Sequence, residues 1–117
     1  MAYIDGYIVP VPTANKQAYL EMAISISKLF KANGALEIVE TWGTDVPEGK
    51  LTSFTMAVKR EENETILFSW IKWPSKAVRD RAWGIVMQDP LMQNAGYPGL
   101  FDGKRMIFGG FETILEV

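Results

Sequence analysis

The chain has 117 residues with no cysteine and no histidine, and its 12 basic and 14 acidic side chains leave a formal charge of −2. That length suits one domain able to bury a core without covalent or metal staples. The missing residue types exclude disulfides, thiol nucleophiles, Ser/His and Cys/His pairs, haem held by a proximal histidine and any ordinary zinc site, and the charge balance gives no footprint for nucleic acid.

From Tyr3 to Val11 the residues are β-branched and aromatic, and the Pro10/Pro12 pair is expected to stop them, which predicts a first strand. Tyr3, Asp5, Tyr7 and Val9 fall on one face, and Ile4, Gly6 and Ile8 on the other. Thr13 is the expected N-cap of an amphipathic helix in which Tyr19, Met22, Ala23, Ile26, Leu29 and Phe30 recur at three- and four-residue steps until Gly34. Lys16, Gln17, Glu21, Ser25, Lys28 and Lys31 form its solvated side. A second strand is predicted over Ala35–Trp42, followed by a loop from Gly43 to Lys50.

Leu51–Lys59 reads as a short strand, Arg60–Glu64 as a polar turn, and Thr65–Trp73 as the run with the strongest strand composition, ended by Pro74. Ser75 caps a second helix through about Gln88, with Val78, Ala82, Ile85 and Val86 as its core stripe, and Asp89-Pro90 stops it. Leu91–Leu100, with Asn94, Gly96, Pro98 and Gly99, reads as a loop holding at most one helical turn. Arg105–Val117 closes the chain as a strand. The Gly109-Gly110 pair inside it marks a bulge or a close approach, with a neighbouring backbone or helix as the expected visitor.

This order is α+β: βαββαβ with one extra short strand in its middle. Two helices cover only one face of such an antiparallel sheet. The other face still carries Tyr, Trp, Phe and Met side chains, and an apolar face that large predicts a homodimer closing through the open sheet face. No apolar run approaches a bilayer span and the N-terminus lacks the regions of a signal peptide, so a cytoplasmic protein with no membrane partner is expected. Neither a metal nor an organic cofactor is expected.

The segments 3–12 (YIDGYIVPVP), 34–37 (GALE), Gly49-Lys50 with Thr52-Ser53-Phe54, 68–71 (FSWI), Arg79-Asp80 and 101–112 (FDGKRMIFGGFE) together resemble the DUF1428 family of small bacterial proteins over nearly the full chain. The resemblance implies a ferredoxin-like protomer and a dimeric α/β barrel. The wider class with that fold includes cofactor-free monooxygenases, haem-degrading enzymes, dismutase-like proteins and plain ligand binders, so the fold alone implies no activity. The family brings no catalytic residues to carry over, and the absence of histidine argues against haem.

Asp5 stands mid-strand, where a buried charge needs a partner. It is either a general base facing a cleft or a structural acid satisfied by Arg105, Lys104 or a tyrosine hydroxyl, and the structural role is preferred. Trp42, Phe54, Trp70 and Trp73 are core filler or the wall of an aromatic pocket; Trp70 and Trp73 point to opposite faces, and Trp70 is the better ligand candidate. Arg79 and Arg81 read as surface or rim ion pairs of small energetic weight. Glu37 and Glu40 fall on opposite faces and form no carboxylate pair. The charged turn before the last strand adds Asp102, Lys104 and Arg105. The expectation is a protein that binds a small apolar or aromatic acid in a pocket ringed by Asp5, Trp70, Lys104 and Arg105. The alternatives are a cofactor-independent oxygenase or isomerase with Asp5 as base, and a purely structural dimer.

Overall fold

In a computed structural model, residues 1–93 and 99–117 are described. Two ten-residue strands, β1 (Tyr3–Pro12) and β3 (Glu64–Trp73), form the centre of the sheet. They pair antiparallel along their whole length, from Tyr3 opposite Trp73 to Pro12 opposite Glu64. β2 (Glu37–Glu40) flanks β3 and β4 (Ile107–Glu112) flanks β1, both antiparallel, which gives the order β2-β3-β1-β4. The long helices α1 (Lys16–Ala32) and α3 (Lys76–Val86) cover one face, and the single turns α2 (Phe54–Ala57) and α4 (Pro90–Gln93) lie in the connections.

Local chemistry explains most boundaries. Ser75 accepts a hydrogen bond from the Val78 amide at 3.2 Å, capping α3, and Gly34 ends the α1 region at φ 107°. Thr13 does not cap α1: it opens a 3-10 turn, Thr13–Asn15, and its hydroxyl shares a hydrogen bond with that of Thr65 at 2.7 Å. Pro10 and Pro12 do not break β1 either. Pairing with β4 ends at Ile8, so beyond it one side of β1 is a sheet edge, where proline is tolerated.

The expected strand over Leu51–Lys59 is absent. Ser53 instead accepts from the Met56 amide at 3.0 Å and starts α2, a turn that buries Thr55 and is followed by buried Val58. A side-chain cap outweighs strand composition over so few residues. Of the Leu91–Leu100 loop, the first residues complete the one helical turn of α4, and 94–98 lie outside the described residues. The second strand is shorter than expected. So is the last: it begins only at Ile107, after a 3-10 turn over Gly103–Arg105 in which Asp102 accepts from the Lys104 amide at 3.0 Å, and it ends at Glu112, opposite the first residue of β1.

The core lies between the sheet and α1 and α3. Val9, Val11, Leu67, Ile71 and Trp73 meet Tyr19, Met22 and Phe30 from α1 and Ala82 and Val86 from α3. Phe30 packs edge-on against Trp73 and Trp83, with ring centres 6.0 and 4.9 Å apart. Ile85, expected in this stripe, is half exposed, and Trp83 occupies its place. Trp73 has no exposed surface; burial of one such side chain contributes about 1.5–3 kcal/mol.

The β1–β4 register is regular, with Gly6 opposite Gly109 and Asp5 opposite Gly110, so the glycine pair marks no bulge. Its visitors are side chains. A Cβ on Gly110 would stand 2.8 Å from a Tyr3 ring carbon and 2.9 Å from the Arg79 guanidinium. Among the described residues, no helix is long and apolar enough to cross a membrane.

Candidate functional site

Alternation along β1 sends Tyr3, Asp5 and Tyr7 toward the helices, and their neighbours across the sheet follow: Gly110 and Phe108 on β4, Ile71 and Ser69 on β3. Two carboxylates consequently look into the layer between sheet and helices. They are satisfied in opposite ways.

Asp5 is paired with a cation. The Arg79 guanidinium donates to Oδ1 at 2.7 and 3.0 Å and to Oδ2 at 3.1 Å, and the indole N–H groups of Trp73 and Trp83 donate to Oδ2 at 2.8 and 2.9 Å. Asp5 is 6% exposed, and the hydrogen bonds it receives raise the Arg79 guanidinium above its ordinary range. With both oxygens occupied in this way, the carboxylate has little capacity left to accept a proton from a substrate.

Glu40, at the end of β2, is held by hydroxyls. Tyr7 donates to Oε2 at 2.5 Å, while Tyr19 and Ser69 donate to Oε1 at 3.0 and 2.8 Å. Among the described residues, no lysine or arginine forms an ion pair with it. Burial, then the negative charge of Glu40, pushes both phenols well above their ordinary 10.0. They remain neutral donors.

Between the two carboxylates lies a cavity of about 540 Å³. Met22, Ile26 and Phe30 of α1, Ile38 and Ile71 of the sheet, Trp83 of α3, and Met92, Phe101 and Met106 supply an apolar wall. Among the described residues, only Asp5, Arg79 and Glu40 bring charge to it. A largely apolar pocket with few convergent polar groups is the usual form of a small-molecule site. Among the described residues, no group of three or more acidic side chains suited to a metal ion is found.

The opposite face of the sheet is open. Ile4, Ile8, Phe68, Trp70, Ile107 and Phe111 surround a shallow groove of about 610 Å³ over the facing Gly6 and Gly109. Phe54 packs edge-on against Phe68, and Phe68 against Trp70, each pair with ring centres 5.9 Å apart.

The five residues singled out in the sequence therefore separate. Asp5 lines the cavity. Trp70 stands on the open face and donates to Glu37 at 2.9 Å, while Trp73 points the other way, to Asp5. Arg105 is not the partner of Asp5: it binds buried Glu64 through two bonds of 2.7 and 2.6 Å, Asp102 at 3.1 Å and the Lys59 carbonyl at 2.9 Å. Lys104 is exposed beside it. The ring of Asp5, Trp70, Lys104 and Arg105 is not assembled on one face. Arg79, expected on the surface, is the cation that reaches Asp5.

Glu40, Tyr7, Tyr19 and Trp83 complete the cavity's polar features and were not anticipated. Two signals in the sequence point to them: alternation puts Glu40 on the face opposite Glu37, and Tyr7 shares a face with Asp5. Their meeting depends on α1 bringing Tyr19 above β2, which no local pattern encodes.

The profile of the family described as "Protein of unknown function (DUF1428)" matches residues 2–103. The uncharacterized protein YbaA of Escherichia coli K12 and that of Shigella flexneri are each 57% identical over 116 residues, covering 99% of both chains. Among solved structures, a dimeric ferredoxin-like protein from an uncultured marine organism superposes with a TM-score of 0.66 at 9% identity, covering 100% of this chain and 98% of its own. A second such dimeric protein gives 0.62 at 8% identity, covering 99% and 98%. Rv0793 from Mycobacterium tuberculosis gives 0.54 at 13% identity, also covering 99% and 98%. These identities speak to the ferredoxin-like fold alone. With the sequence match spanning most of its length, the chain belongs to the DUF1428 family.

Proposed function

We propose that this protein binds a small, largely apolar molecule in the cavity between its sheet and helices. The observation that carries the reading is a space of about 540 Å³ walled by methionine, isoleucine and aromatic side chains, with Glu40 and its tyrosines at a polar end. A domain whose only task is to hold its fold or a partner has no need of such a space, since interiors are otherwise close-packed. An oxygenase or isomerase using Asp5 as base draws less support, because Arg79, Trp73 and Trp83 occupy both carboxylate oxygens. Thermal-shift and native mass measurements with small apolar alcohols, acids, amines and quinones are expected to find a stabilising ligand, and Ile26→Trp, which fills the cavity, should abolish its effect. A folded protein that responds to none of these compounds overturns the reading.

The open face supports a second element of function, assembly as a homodimer with the two sheets face to face, forming an α/β barrel. Phe68 and Phe111 are 47% and 59% exposed there, and two ferredoxin-like neighbours are described as dimeric. Light scattering should give twice the chain mass, and Phe111→Glu should halve it. The cysteine-free sequence suits a reducing compartment, and a cytoplasmic location belongs to the same proposal.

A further inference from the structure

The charge on the cavity wall specifies the kind of molecule it would hold, an inference that rests on the binding reading above. Among the described residues, three charged side chains line the space. Asp5 and Arg79 neutralise each other through their hydrogen bonds, and Asp80, which also meets Arg79 at 2.9 Å, stands outside and is itself paired with Lys76 at 2.7 Å. Glu40 is left as the one charge without a counter-charge among the described residues.

Its hydrogen bonds are unevenly distributed. Oε1 accepts from Tyr19 and Ser69, whereas among the described residues Oε2 accepts only from Tyr7. A carboxylate oxygen has two lone pairs, so Oε2 retains one for a donor entering the cavity. The two phenols cannot supply the missing positive charge, since a tyrosine hydroxyl is neutral or anionic. An incoming carboxylate would meet a like charge in a space of low polarity, where such repulsion is poorly screened. An alcohol could offer one hydrogen bond from a neutral donor. An ammonium offers a hydrogen bond together with the positive charge that the uncompensated anion lacks.

We infer that the cavity selects a small apolar amine, held as its ammonium by Glu40 with its hydrocarbon body against Met22, Met92 and Met106, over the alcohol or acid of similar shape. This reverses the acidic ligand expected from the sequence.

Calorimetric titration of the full chain at neutral pH with phenethylamine, phenethyl alcohol and phenylacetate tests the order of affinities. The amine is expected to bind about tenfold more tightly than the alcohol, with the acid weakest. Glu40→Gln should weaken amine binding about tenfold and so remove the preference for amine over alcohol. If the alcohol matches the amine, or the acid binds best, the cavity is a binding site but the selection by Glu40 is overturned. If none of the three binds to the folded protein, this inference is overturned, and the binding reading falls with it only when the wider panel of alcohols, acids, amines and quinones also fails. Should Glu40→Gln not fold, Tyr7→Phe preserves the carboxylate and frees Oε2 further. It should keep or increase the amine preference, and loss of that preference overturns the inference.

Discussion

Asp5 and Arg79, 74 positions apart, are joined by three hydrogen bonds of 2.7, 3.0 and 3.1 Å between the first half of β1 and the first turn of α3. The contact fastens a helix to the sheet at a point where both indole donors of Trp73 and Trp83 also converge. Asp5→Asn replaces the acceptor with an amide that carries its own N–H donors and leaves the guanidinium without its buried counter-charge. Because Arg79 keeps 23% of its side chain exposed, the loss should be about 2–3 kcal/mol, below that of a fully buried pair. Urea unfolding measures it. Adding Arg79→Met to Asp5→Asn should recover part of the loss, and strict additivity of the two would contradict the coupling.

Gly110 is required by the same contact. A methyl group there would overlap the Tyr3 ring and the Arg79 guanidinium, which lie 2.8 and 2.9 Å from its Cβ position. Gly110→Ala is expected to destabilise by about 1–3 kcal/mol through overpacking. Gly103→Ala is the control, since nothing lies within 4 Å of its Cβ position, and it should unfold close to the parent.

The ion pair of Glu64 and Arg105 contributes to the acid limb of stability. Hydrogen bonds from Arg105 hold the Glu64 carboxyl below its ordinary 4.5. A folded value below the unfolded one contributes stability that is present above the unfolded pKa and is lost as pH falls through the folded value. The melting temperature should therefore fall as the pH drops below about 4.5. Glu64→Gln should melt lower than the parent at neutral pH and show a flatter acid limb. An unchanged limb would remove Glu64 from this role.

Tyr7 and Tyr19 predict the alkaline limb. Burial, reinforced by Glu40, raises both phenols above 10.0. A raised folded value contributes stability that is present below the unfolded pKa and is lost as pH rises toward the folded one. Stability should decline above about pH 10, where the unfolded phenols ionise. In ultraviolet difference spectra, folded Tyr7→Phe and Tyr19→Phe should show the phenolate signal of the parent, because neither residue titrates until the chain unfolds. A smaller signal in either variant, while folded, would show that phenol to be accessible to base.

Much of the fold is legible in the sequence because it rests on short-range repeats. The period-two face of Tyr3, Asp5, Tyr7 and Val9, the three- and four-residue steps from Tyr19 to Phe30, the Ser75 cap and the Gly34 stop each act within a few residues, and each element forms where the pattern lies. The opposite directions of Trp70 and Trp73, and of Glu37 and Glu40, follow from the same alternation. Failures occur where a local competitor is stronger than the pattern, as at Ser53, or where a strand stops for want of a partner, as at Glu112.

The sequence by itself determined the two long helices, the position of the four strands that pair and the presence of a carboxylate within β1. Which cation meets that carboxylate was decided only by tertiary structure. Lys104 and Arg105 are near the strand that pairs with β1, but they lie at the end of β4 remote from Gly110, whereas α3 lowers Arg79 directly onto Asp5. The same holds for the cavity. Tyr7, Tyr19, Glu40 and Ser69 come from three strands and a helix, and their hydrogen bonds join residues 21 to 33 positions apart. Hydrogen bonding between such distant groups depends on how layers stack and on the β1–β3–β2 register, quantities to which no single segment of the chain is sensitive.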